Sequence, residues 1–122
     1  MPPYLLAVVR LAECCGQVEE PLRSFTLCAP FPASTRTPHH LVAPHETAVY
    51  RFYRHQGQLL YVGISWNPFK RWTEHRRRAL WWPRGLASVL VEVYASERQA
   101  LRVERTCIRN CKPLGNLRSA MK

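Results

Sequence analysis

Two tyrosines, Tyr50 and Tyr61, an arginine and a histidine one helical turn apart, Arg71 and His75, and a solitary glutamate, Glu104, could do chemistry together in this 122-residue sequence. A phenol can hold or accept a proton, a guanidinium can clamp an oxyanion, and a carboxylate can bind a divalent cation. The sequence contains no aspartate, so any metal-binding or acid–base carboxylate is one of eight glutamates. Taken singly, each tyrosine is more simply a packing residue with a wet hydroxyl.

Glu104 stands out by position. Ser96 with Gln99 forms a capping box, which predicts a helix running to about Asn110 or Cys111, where Lys112-Pro113 ends it. Projected at about 100° per residue, Ala100, Leu101, Cys107, Ile108 and Cys111 fall within an arc of about 120°, with Glu104 near its middle. Arg98, Arg102, Arg105 and Arg109 cluster on the other side. A carboxylate inside an apolar stripe is costly unless a cation or several hydrogen bonds offset its desolvation. Two accounts stand at this point: a buried salt bridge to an arginine of another element, or a metal-binding or catalytic role.

The elements that must position these residues follow from local pattern. Thr47 to Arg54, with Val49, Tyr50, Phe52 and Tyr53, reads as a strand. His55-Gln56-Gly57 is a turn, and Gln58 to Gly63 a second strand that closes a hairpin. Asn67-Pro68 starts a helix, an N-cap followed by proline at the first helical position, that runs to about Arg78 or Leu80. The stretch Trp81 to Gly85 breaks it, and Ala87 to Tyr94 is a third strand. The order β-β-α-β-α predicts a small α+β domain, a three-stranded antiparallel sheet flanked by helices. On the first helix Arg71 and His75 share a face, and Arg76-Arg77-Arg78 follow at the end where cations suit the macrodipole.

Charge points to the class of partner. The net charge is +10, and residues 1–45 sum to zero, so residues 46–122 carry all of it. A domain that basic is suited to a polyanion, and nucleic acid is favoured over an acidic membrane surface because no long basic amphipathic helix is present. No apolar run approaches the roughly 20 residues that span a bilayer, and a soluble, cytoplasmic protein is expected. Five cysteines without a C-x-x-C argue against a disulfide framework or a zinc knuckle, so reduced thiols are expected. His39, His40 and His45, with Cys28, have the spacing of no familiar metal site. The prolines between Pro30 and Pro44 read as a linker. The chain therefore divides into residues 1–44, an N-terminal extension expected to be poorly ordered, a folded domain at 45–116 and a basic tail at 117–122.

Taken in order, these residues resemble the GIY-YIG nuclease signature. Ala48-Val49-Tyr50 is followed after ten residues by Tyr61-Val62-Gly63, then by Arg71, Glu104 and Lys112-Pro113-Leu114-Gly115-Asn116. The resemblance spans about residues 46–116 and favours the functional account of Glu104. It implies metal-dependent hydrolysis of nucleic-acid, foremost DNA, phosphodiester bonds. By that resemblance Glu104 would hold one divalent ion, Mg²⁺ or Mn²⁺, and Arg71 would clamp the phosphate. Tyr50 would act as general base, and Tyr61 would position the water. His75 would assist as a base or phosphate contact, or be only a helix-face residue. Gly63 would allow a close backbone approach, and Asn116 would brace the site. Lys70, Arg76, Arg77, Arg78 and Lys112 would meet the substrate. The sequence departs from the pattern at Ala48, in place of the first glycine, and at Ile64, where many members carry lysine or another polar residue; Lys70 or the arginine run would then supply the cation. The rival readings are a non-catalytic nucleic-acid-binding module on the same fold and a basic scaffold for acidic partners. Substrate structure, biological role and oligomeric state are not legible in the sequence.

Overall fold

In the computed structural model the described residues are 19–78, 86–113 and 115–116. The break at Trp81–Gly85, residues 1–18 of the N-terminal extension and the tail after Asn116 lie outside them, as does the side chain of Arg78. The elements are β1 (Arg23–Cys28), β2 (Thr47–Arg54), β3 (Leu59–Ser65), α1 (Pro68–Arg78), β4 (Leu86–Tyr94) and α2 (Glu97–Cys111). Every neighbouring pair of strands is antiparallel, in the order β1-β4-β2-β3.

The sheet therefore has four strands, where the sequence pattern predicts three. The additional strand, β1, comes from residues ahead of the division at 45. It is short, and only Phe25 and Leu27 face the core, each partly buried. Six residues with two inward side chains, next to a proline-rich stretch, give too weak an alternation to stand out. Pairing with β4 supplies the missing stability, in register from Arg23 opposite Val93 to Cys28 opposite Ser88.

The central strand β2 is buried along nearly its whole length because both sheet faces are covered. One face carries Tyr50, Phe52, Leu60, Val89, Val91 and Val93 against Phe69 and Trp72 of α1, with Phe31 and Val42 closing the layer. The opposite face carries Val49, Tyr53, Leu59, Val62 and Tyr94 against Ala100, Val103 and Cys107 of α2. Alternation along β2 thus sends Tyr50 toward α1 and Val49 toward α2. A bulge keeps this alignment in the hairpin. Phe52 pairs with Tyr61 and Tyr53 with Leu59, so Leu60 is the extra residue.

The start of α1 differs from its sequence signature. Asn67 does not cap the helix. Its amide oxygen accepts from the Thr37 backbone N–H (3.0 Å) and hydroxyl (2.8 Å), and its amide nitrogen donates to the Thr35 carbonyl (3.0 Å). The Thr37 hydroxyl in turn accepts from the Phe69 N–H at 3.0 Å, satisfying a helix N–H that has no partner within the helix. The cap thus comes from a residue remote in sequence. α2 keeps its local cap, with Ser96 accepting from the Gln99 N–H at 3.2 Å, and ends with Lys112 in the left-handed region. Cys111 is disulfide-bonded, contrary to the expectation of reduced thiols; an odd count without clustered spacing argues against many bridges but not against one. Among the described residues no helix is long and apolar enough to cross a membrane.

The core between the sheet and α2 also holds an ion pair. Arg51, 1% exposed, donates to Glu92, and Cys107 lies against the same guanidinium. Burial opposes the charge on Arg51, but Glu92 and its neighbours outweigh it and raise its pKa. Removing one partner of such a pair leaves an uncompensated buried charge. Arg51→Ala should therefore cost about 3–5 kcal/mol in urea unfolding. The double change Arg51→Met with Glu92→Leu should recover most of that loss.

Candidate active site

Tyr50, Tyr61 and His75 meet on the face of the sheet covered by α1. Tyr50 of β2 lies opposite Gly63 of β3, and its ring crosses that residue. A Cβ at position 63 would stand 2.5 Å from the Tyr50 hydroxyl oxygen and 2.6 Å from Cζ, inside any permitted contact. The glycine of the second motif is thus needed to seat the tyrosine of the first. The close approach expected at Gly63 is made here by a side chain of the chain itself.

Seated this way, the Tyr50 hydroxyl reaches Nε2 of His75 on α1, at 3.0 Å. Tyr61 stacks beside Tyr50, with ring centroids 6.2 Å apart and planes at 29°. The His75 ring meets Tyr61 edge-on at 5.0 Å. Arg71, one turn earlier on α1, acts electrostatically on both tyrosines and spends part of its charge on an exposed pair with Glu74 at 3.2 Å. Such surface pairs are worth little and are readily exchanged for a stronger anion.

Burial dominates the protonation states. It raises the Tyr50 pKa well above the ordinary phenol value, with Tyr61 adding to the shift and Arg71 opposing it. It raises Tyr61 as well, again against Arg71. His75 is lowered to about 4, first by burial and then by Arg71. Near neutral pH the Tyr50–His75 hydrogen bond therefore joins a neutral phenol to a neutral imidazole, and the imidazole tautomer sets which of the two donates.

Glu104 is half-buried on α2. The buried stripe of that helix centres on Ala100, Val103 and Cys107, so Glu104 lies at its flank and not in its middle. Burial raises its pKa, while Arg105 and Arg71 oppose the shift. Among the described residues its carboxylate makes no hydrogen bond or ion pair. The salt-bridge account fits a different glutamate, Glu92, which Arg51 answers. Glu104 also acts electrostatically on Tyr50 and Tyr61, as the smallest of the influences on each. No group of three or more His, Cys, Asp or Glu side chains suited to a metal occurs among the described residues. A cation here would take one protein carboxylate and fill its other positions with water and substrate oxygens, as magnesium does readily. A desolvated carboxylate without a partner fits that role.

The remaining expected residues take separate places. Arg76 donates to the carbonyls of Phe31 (2.6 Å) and Pro32 (3.3 Å), fastening the segment before β2 to α1. Lys70, Arg77 and Lys112 are exposed. The Asn116 side-chain amide accepts from the Val62 N–H and donates to the Val62 carbonyl, both at 2.8 Å, on the outer edge of β3. Thr37, Arg51 and Glu92 are structural supports that the sequence pattern did not single out, and Asn67 braces a loop where the pattern made it a cap. Arg51 and Glu92 had a signal: both occupy inward positions of strands, between apolar neighbours. Thr37 had none, because its partner is remote in sequence.

Sheet, helices and the gathered tyrosines, arginine and glutamate define a small α+β domain with one polar site at its edge. A family model of the GIY-YIG catalytic domain matches residues 46–118, more than half of the chain, and the chain belongs to that family. No curated protein and no solved structure matches it. The family is generally one of endonucleases that use divalent metal ions, and membership implies nucleic-acid binding.

Two outcomes test this geometry. Gly63→Ala should destabilise the protein by about 1–3 kcal/mol, read from its melting curve, because the ring of Tyr50 must move. His75 should make stability depend on pH. Its imidazole takes up a proton near 6.5 in the unfolded chain but only near 4 in the folded one. Between those values the unfolded state binds more protons, so stability is highest above the window and falls as pH is lowered through it. His75→Gln should flatten that part of the curve.

Proposed function

We propose that the chain is a metal-dependent endonuclease that hydrolyses DNA phosphodiester bonds. The observation that carries this reading is Glu104, a half-buried carboxylate with a raised pKa and no partner among the described residues, beside Arg71 and two tyrosines. A module that only binds a polyanion has no use for a desolvated negative charge at its contact surface.

Arg71 holds the scissile phosphate, giving up Glu74 for a bidentate pair with two phosphate oxygens. Tyr61 orients the attacking water. As the water oxygen bonds to phosphorus, Tyr50 accepts its proton and passes its own hydroxyl proton to Nε2 of His75, 3.0 Å away. This relay avoids a standing tyrosinate, which burial makes costly at Tyr50. The resulting imidazolium is short-lived, since burial and Arg71 both disfavour it, and it releases the proton to solvent. The phosphorus–oxygen bond to the leaving strand breaks, and that oxygen is protonated from water. Glu104 would hold Mg²⁺ or Mn²⁺, which would supply positive charge to the reacting phosphate.

The purified protein should cut DNA in Mg²⁺ or Mn²⁺ and stop when the metal is chelated. Glu104→Ala should abolish cleavage, and Arg71→Ala should slow it by about 100- to 1000-fold. Equal cleavage by wild type and Glu104→Ala would refute the mechanism. Salt-dependent binding without cleavage in either metal would identify a binding module instead.

A further inference from the structure

Trp66 follows β3 directly and is 71% exposed, the most exposed large apolar side chain among the described residues. It lines a groove together with Arg71, Lys70, Arg36, His39 and His45. The groove and the candidate active site therefore share Arg71. Its outer wall is held in place, because Asn67 binds Thr35 and Thr37, and Glu46 is paired with Arg23. Among the described residues the Lys70 ammonium and the Arg36 guanidinium have no carboxylate partner. Glu97 also lines the groove, while Glu46 has its charge met by Arg23. What is presented to solvent is mainly cationic, with one broad aromatic face in the middle.

A solvated indole between cations suits a polyanion that also offers flat apolar faces. Single-stranded DNA has both, since its phosphates track the cations and an unpaired base stacks on the aromatic ring. Duplex DNA offers the phosphates but keeps its base faces within its own stack. We infer that the groove from Arg71 past Trp66 seats an unpaired DNA strand flanking the scissile phosphate, with Trp66 stacking on a base. This rests on the nuclease reading and narrows its substrate to DNA with unpaired nucleotides beside the cut, such as overhangs, forks and flaps.

The test uses the full chain with EDTA present, so that binding is read without cleavage. Fluorescence anisotropy is measured on a labelled single strand of roughly 12 nucleotides and on a blunt duplex of the same length. Trp66→Ala should weaken single-strand binding by about tenfold and change duplex binding much less. Trp66→Tyr should restore most of the loss, because a phenol ring can still stack. In Mg²⁺, wild type should cut a flapped duplex faster than a blunt one, and Trp66→Ala should lose that preference. Equal weakening on both DNAs, or none on either, overturns the assignment. If cleavage occurs but ignores Trp66, the groove assignment fails and the nuclease reading stands. If nothing is cut in either metal while single-strand binding still depends on Trp66, the nuclease reading fails and the groove stands.

Discussion

The ring of Tyr50 rests on the α-carbon of Gly63, and the site is arranged around that contact. It requires that the two strands pair in one register, since a slip by one residue would turn Tyr50 to the other face of the sheet. It requires that position 63 carry no side chain. With both conditions met, the phenol is buried and its hydroxyl is directed at α1, where His75 receives it. The same burial raises the Tyr50 pKa, so a standing tyrosinate there is costly. Packing and chemistry are set here by one contact.

Two glutamates stand in apolar surroundings, and the fold treats them differently. Glu92 lies under α2 with Arg51 beside it, and the pair is closed to solvent. Glu104 lies at the rim of the same helix, where Arg71 and Arg105 influence it without binding it. The first resolves its charge within the chain. The second makes no hydrogen bond or ion pair among the described residues. Position around the helix, more than burial alone, separates a structural carboxylate from one available for chemistry.

Much of this was legible in the sequence. Three of the four strands and both helices follow from alternation, caps and proline placement, and each observed boundary falls within two residues of the expected one. Tyr50, Tyr61, Arg71 and Glu104 could be singled out as candidates because their order along the chain carries information even where each alone does not. What was hidden is what depends on the third dimension. β1 is too short to declare itself and exists because β4 offers it an edge. The cap of α1 comes from Thr37 because Asn67 is occupied in holding the preceding loop. Glu104 projects onto the apolar stripe in an ideal helix, yet the helix packs through Val103, turning Glu104 toward the rim.

The amide of Asn116 has a consequence beyond its two hydrogen bonds. β3 is an outer strand, and the backbone groups not paired with β2 point away from the sheet. Such a border is a template on which a second chain can add a strand and begin aggregation. By occupying both polar groups of Val62, a single side chain closes the middle of that border. The terminal residue of the signature thus leaves one position fewer at which a second chain could pair.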